Sequence, residues 1–184
     1  MILRNNHLIE EFLYMTNILI GILILIILSI IFSYSLNKKS KHKRNIYKSK
    51  KIISKINTFE FEGQKLNYLK KIDPFVFEEL LLSAFEKKGY KIQRNIKYTG
   101  DGGIDGVIYD NNNNKFLIQA KRYSNYINKA HVKDFGDLLK SKNCKGFFIH
   151  TGKTGKGSFD ESLNYNMKII SGNKLLSLIE LTRD

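Results

Sequence analysis

The sequence predicts an α/β domain, with a mixed central sheet flanked by helices, preceded by one transmembrane helix. Three observations carry that expectation. An uncharged apolar run, NILIGILILIILSIIFSYSL, occupies Asn17 to Leu36. From Tyr68 onward, short apolar or alternating runs recur between stretches of helical spacing, the pattern of strands interleaved with helices. Two of those runs are separated by four asparagines, Asn111 to Asn114, a turn signal that makes them a hairpin.

In chain order, residues 1–14 are short and mixed, and are expected to form an extracytoplasmic N-terminus. Residues 15–36 are expected to be the transmembrane helix, since about 20 apolar residues match a hydrocarbon core of ~30 Å. The run is longer than a signal-peptide core, no clear small-x-small site follows it, and Glu10 and Glu11 precede it, so a retained anchor is expected. NKKSKHKRNIYKSKKIISK follows, with no acid before Glu60. The positive-inside rule then sets the C-terminal side in the cytoplasm of a single-pass inner or plasma membrane protein. Residues 37–67 lack a sustained apolar period and are expected to be a polybasic linker, helical at most in part. The folded domain is expected over 68–184.

Within it, Asp73 and Pro74 form a helix start, and Phe77, Leu80, Leu81, Ala84 and Phe85 keep helical spacing up to Gly89. Strands are expected at Tyr90–Ile96, Ile104–Tyr109, Lys115–Lys121, Gly146–His150 and Met167–Ile170. Helices are expected at Lys129–Lys140, at Ser158–Asn166, and from a cap at Asn173 through Leu181. About 115 residues suffice for one core.

The chain has 184 residues and a formal net charge of +14. Such a balance points to a polyanionic partner, nucleic acid or an anionic membrane surface. Residues 1–67 carry 11 Lys/Arg and 4 Asp/Glu and residues 68–184 carry 20 and 13, so each part holds +7 and charge alone does not assign DNA binding to the domain. The single cysteine, Cys144, excludes an internal disulfide framework and a Cys-rich zinc site.

The chemistry concentrates in GDGGIDGVIYDNNNNKFLIQAKRY, Gly100 to Tyr123. Asp105 stands at the mouth of one strand, and Gln119-Ala120-Lys121 lies in the next. Gln119 and Lys121 are two apart and share a face, while Phe116 and Ile118 point the other way. An acid able to hold a divalent cation beside a lysine on a rigid strand suits metal-assisted phosphodiester hydrolysis. Parity sets a condition. Pairing Asp110 with Lys115 would put Asp105 opposite Ala120, on the wrong face for Gln119 and Lys121. The site therefore needs an odd loop length or a bulge, for which Gly103 and Gly106 are suited.

Residues 70–181 resemble the Mrr-type restriction endonuclease domain, a branch of the PD-(D/E)xK nuclease superfamily. The matching pieces are F-E-x-L-L from Phe77 to Leu81, K-K-G-Y-K-I, G-D-G-G-I-D-G, Q-A-K-R-Y, Thr151-Gly152 after a strand, and I-S-G-N-K-L from Ile170 to Leu175. The resemblance implies a restriction-endonuclease-like α/β/α core and a membrane-anchored, Mg²⁺-dependent DNA endonuclease, with Mn²⁺ as a second candidate ion. It implies restriction of foreign or modified DNA. Asp105 would ligate the metal, with Glu78 of the first helix and the Ala120 carbonyl completing an oxygen shell. Lys121 would orient or deprotonate the attacking water, and Gln119 stands where the wider superfamily often has Glu. Glu79 is expected to face solvent, about 100° round the helix from Glu78. Arg122, Lys153 and Lys156 are candidate DNA contacts. Expected partners are DNA and the membrane, through the N-terminal helix and its basic flank; homodimerisation is left open. The alternatives are a non-catalytic DNA-binding or tethering module of the same fold, or a repair or junction-processing nuclease.

HTGKTGKGS, His150 to Ser158, fails the G-x-x-x-x-G-K-[ST] phosphate-loop spacing, and GDGGIDG has Asp105 at the third glycine of a dinucleotide fingerprint. The four histidines show no ligand spacing. His150 reads as a core residue ending a strand, and His131 as a helix residue that could approach the site.

Overall fold

The computed structural model describes residues 2–94 and 103–180, with side chains for all of these except 2–12, 35 and 37–41. The chain falls into two compact units, Met1–His42 and Lys43–Asp184, and helix α1 (Ile2–Ile56) contributes to both. In the first unit, Leu13–Tyr34 is a 22-residue stretch with mean hydropathy 2.8 and none of it buried. By length and composition it can cross a hydrocarbon core.

The second unit is built on a five-stranded sheet in the order β1-β2-β3-β4-β5. The strands are β1 (Lys91–Arg94), β2 (Gly106–Tyr109), β3 (Lys115–Lys121), β4 (Lys145–His150) and β5 (Met167–Ile170). β1, β2 and β3 pair antiparallel; β3, β4 and β5 pair parallel. The helices are α2 (Glu62–Leu69), α3 (Pro74–Lys87), α4 (Lys129–Ser141), α5 (Lys156–Ser162) and α6 (Gly172–Glu180). Parallel neighbours need crossover segments, and α4 and α5 supply them.

Two apolar layers sandwich the sheet. On one face Leu80, Leu81 and Leu82 of α3 and Leu175, Leu176 and Ile179 of α6 meet Ile108, Ile118 and Ile149. On the other, Val132, Phe135 and Leu139 of α4 meet Val107, Leu117 and Phe148. Successive strand residues thus alternate between layers, as pleating requires. α3 starts as its sequence dictates, with the Asp73 carboxylate accepting from the N–H groups of Phe75 and Val76 at 2.9 and 3.3 Å behind Pro74. Gly89, at φ 88°, ends that segment in the left-handed region.

The segment expected to be a linker, residues 37–67, is largely helical. Ile56 is fully buried, and Ile52 and Ile53 pack on the α3 layer. The buried seam of α1 begins with polar residues, Asn45 and Ser49, so no apolar period announces it. The Ser49 hydroxyl donates to the Ile46 carbonyl at 2.7 Å, which lets it be buried. Smaller differences lie at helix ends. α5 begins at Lys156 and stops at Ser162, and α6 begins at Gly172, so Asn173 lies inside the helix and is not its cap. Asn95 and Ile96 of the first expected strand, Gly100 to Gly102, and Leu181 lie outside the described residues.

Because Ile56 is a core residue, Ile56→Ala should lower the stability of the folded unit by about 2–5 kcal/mol. Urea unfolding of the full chain in detergent reads this; a loose linker would leave the midpoint unchanged.

Candidate functional site at the end of β3

The β2–β3 ladder pairs Gly106 with Ile118 and Tyr109 with Lys115. The connecting loop is therefore the five residues 110–114, an odd length. Asp110 organises it: its carboxylate accepts from the N–H of Asn112 at 2.9 Å, the N–H of Asn114 at 2.8 Å and the side-chain amide of Asn114 at 2.8 Å. Asn113 takes the left-handed conformation at φ 62°. Continued one step, this register would set position 105 against position 119, but Asp105 lies outside β2 and its N–H turns to the carbonyl of Ile118, the residue already paired with Gly106. The loop has the odd length that the parity condition asks for, and at its far end Asp105 and Gly106 both face Ile118, as in a bulge.

Asp105 precedes β2. Its N–H donates to the Ile118 carbonyl at 2.8 Å, and its Oδ2 accepts from the Ala120 N–H at 2.6 Å. Gln119 is 6% exposed, and its Nε2 donates to the Gly103 carbonyl at 2.9 Å. Lys121 is half-buried at the end of β3, paired in register with His150 of β4. Asp105, Gln119, Ala120 and Lys121 thus meet at one end of one strand.

Glu78 reaches the same charges from α3. It is half-buried, and its carboxyl is pushed up to about 8 by burial first, then by the negative charges of Asp105, Glu79 and Asp73; Lys121 partly offsets them. A carboxyl raised by a neighbouring carboxylate marks a place with negative charge to spare. That is one sign that a cation fits. A second is Gln119 Oε1, buried and without a hydrogen-bond partner among the described residues. Among the described residues no group of three or more His, Cys, Asp or Glu side chains is arranged around a metal position. The donor set is two carboxylates plus an amide oxygen and a backbone carbonyl. Such hard oxygens suit Mg²⁺ or Mn²⁺, which keep part of their water shell.

Glu79 is not solvent-facing. It is 2% exposed, and Arg94 of β1 donates to it through Nε at 3.2 Å. Arg94 also bonds Glu86 at 2.7 Å, which holds that carboxyl below its ordinary range. Glu79 and Glu86 are seven apart on one helical stripe, and Arg94 clamps both. The helical wheel separates Glu79 from Glu78, but only the position of β1 decides that Glu79 is covered.

The basic candidates divide. Arg122 donates through Nη1 to the Lys70 carbonyl at 3.2 Å, tying the end of β3 to the end of α2. Lys153 on the β4–α5 connection and Lys156 at the start of α5 are exposed, Lys153 lying 5.8 Å from the centre of the exposed Tyr126 ring. That rim is braced. Tyr126 and Lys153 form a parallel bridge, and a Cβ at Gly152 would come within 2.2 Å of the Asn125 carbonyl, so only glycine fits.

Spacing gave no hint of an aromatic–imidazole cluster beside Lys121. The Tyr123 hydroxyl bonds His131 Nδ1, and the Tyr123 ring meets His150 edge-on at 6.1 Å. Thr151 Oγ1 accepts from the Tyr123 N–H and donates to the Tyr123 carbonyl, both at 3.0 Å. His150 is fully buried, and burial pulls its pKa down to about 4, so it is neutral. His131 approaches the end of β3 through Tyr123.

Fold and site together define a restriction-endonuclease-like α/β/α domain. The solved structure of the MspJI restriction endonuclease in complex with a 27-mer oligonucleotide matches it with a TM-score of 0.52 at 21% identity, over 65% of this chain and 31% of that one. The Mrr catalytic family model, described as restriction endonuclease, matches residues 69–179, and the chain belongs to that family. The type IV methyl-directed restriction enzyme EcoKMrr of Escherichia coli (strain K12) is 33% identical over 123 residues, which is 62% of this chain and 40% of that enzyme. The chain thus spans well under half the length of either relative.

The Glu78 shift has a consequence without metal. A carboxyl that binds its proton more tightly folded than unfolded stabilises the fold fully only below the ordinary carboxylate range, and that contribution falls as pH rises toward about 8. In EDTA, thermal stability should decline across that window and flatten above it. Glu78→Gln should remove most of the decline and melt higher than the parent at pH 8.

Proposed function

We propose that the chain is a membrane-anchored, divalent-metal-dependent DNA endonuclease that hydrolyses phosphodiester bonds and acts in restriction of foreign or modified DNA. The observation that carries this reading is the convergence of Asp105, Gln119 and Lys121 at the end of β3, with Glu78 resisting ionisation beside Asp105. A purely structural set would have no need to bring Glu78 near Asp105 and to leave the buried amide oxygen of Gln119 unmatched among the described residues.

Asp105 and Glu78 would hold Mg²⁺ or Mn²⁺, with the Ala120 carbonyl and Gln119 Oε1 as neutral oxygen ligands. When bound, the ion supplies a Lewis acid for the scissile phosphate. Lys121 orients the attacking water and offsets the charge that builds on the phosphate oxygens. Glu78, whose carboxyl is pushed up to about 8, would have to release its proton to serve as a ligand, which a bound cation would favour. The exposed Lys153 and Lys156 contact backbone phosphates of DNA, which sets register and not sequence. Arg122 takes a lesser share, since one of its nitrogens already serves Lys70.

Leu13–Tyr34 serves as the membrane span. The flank from Lys38 to Lys55 is rich in lysine and has no acid, which favours a cytoplasmic domain and contact with anionic head groups. The chain should therefore stay with membranes after a carbonate wash, and protease added to sealed spheroplasts should leave the domain intact.

The deciding assay follows supercoiled plasmid, unmodified and methylated, with the full chain in detergent and Mg²⁺, Mn²⁺ or EDTA. The parent should cut only with metal, and folded Lys121→Ala should be slower by about 10²–10³-fold. Equal cutting by both proteins, or metal-independent cutting, would sink the reading; tight binding with no cutting of either DNA would favour the binding module.

A further inference from the structure

The two atoms of the Gln119 amide have unequal surroundings. Nε2 donates to the Gly103 carbonyl at 2.9 Å, while Oε1 is buried without a partner among the described residues. The side chain is 6% exposed, so an unmatched acceptor there is costly unless something supplies its partner. The orientation is also not free to reverse. A backbone carbonyl only accepts, so the nitrogen must face Gly103 and the oxygen must face away. Gly103 is shaped for the task. Its φ of 88° belongs to glycine, and a Cβ there would lie 2.5 Å from Gln119 Nε2.

We propose that Gly103 is a positioning residue: its carbonyl fixes the Gln119 amide so that Oε1 is presented as a neutral ligand to the divalent cation or its water, which makes glutamine, and not glutamate, the required residue at position 119. This deepens the nuclease reading above and rests on it. A glutamate would set a carboxylate oxygen against the Gly103 carbonyl, two acceptors with no proton between them. It would also bring a second carboxylate close to Asp105, which bonds the backbone on both sides of position 119, at the Ile118 carbonyl and the Ala120 N–H. Simple ligand chemistry predicts the opposite, since an added carboxylate ordinarily strengthens a cation site. Gln119→Glu therefore separates the two views.

The experiment uses the full chain in detergent and two readouts: Mn²⁺ binding, from the electron paramagnetic resonance signal of free Mn²⁺, and plasmid cleavage. Gln119→Glu should bind Mn²⁺ about tenfold or more weakly than the parent and lose cleavage at least in proportion. Gly103→Ala, with its circular dichroism unchanged, should show the same double loss. If Gly103→Ala fails to fold, Gln119→Glu decides alone. A Gln119→Glu protein that matches or exceeds the parent in both Mn²⁺ affinity and cleavage overturns this proposal and leaves the nuclease reading standing. A parent that neither binds Mn²⁺ nor cuts DNA overturns both.

Discussion

The ladder that pairs Tyr109 with Lys115 determines on which side of the sheet every later residue of β3 falls. Side chains alternate strictly along a strand, so a four-residue loop would turn every residue of β2 to the other face relative to its partners on β3. The five-residue turn that prevents this is held by a single side chain, Asp110, which accepts two backbone N–H groups and one amide. The candidate site thus depends on a turn at the far end of the hairpin. Transmission is through the backbone, which is why β2 can be only four residues long and still aim Asp105.

Charge is the second constraint. Burial first, then the charge of Asp105, raises the cost of ionising Glu78, and Lys121 only partly offsets it. Compare Glu79, one residue on. It is more deeply buried than Glu78, yet Arg94 lies 3.2 Å away, so its charge has a direct partner. Adjacent acids on one helix thus meet opposite conditions. Glu79 is joined to the sheet by a guanidinium, and Glu78 resists ionisation. The contrast shows how neighbouring charges set the ionisation of two adjacent carboxyls on one scaffold.

From Lys43 onward, the segment after the apolar run belongs to the same compact unit as the sheet. Lysines and asparagines dominate it, yet Asn45, Ser49, Ile52, Ile53 and Ile56 give it a buried seam. Beyond Ile56, Lys65 of α2 pairs with Glu180 of α6, and Leu69 is fully buried. A basic, polar sequence can therefore carry a packed helix, provided its few small or apolar residues fall at intervals of three and four.

Much of this was legible in the sequence because the physics is local. Strand alternation gave the two faces of β3, and helical spacing with Asp73 and Pro74 gave α3. The motifs from Phe77 to Leu175 carried the resemblance to the Mrr-type family, to which residues 69–179 belong. The sequence also stated the condition that Asp105 must satisfy, though not how it would be met. The five-residue loop, the Arg94 clamp on Glu79, the Gly103 carbonyl on Gln119 and the Tyr123–His131–His150 cluster were decided only in three dimensions. Each joins residues from different elements, and pairing across such distances depends on where whole strands and helices come to rest. A period read along one segment carries no information about what lies across from it.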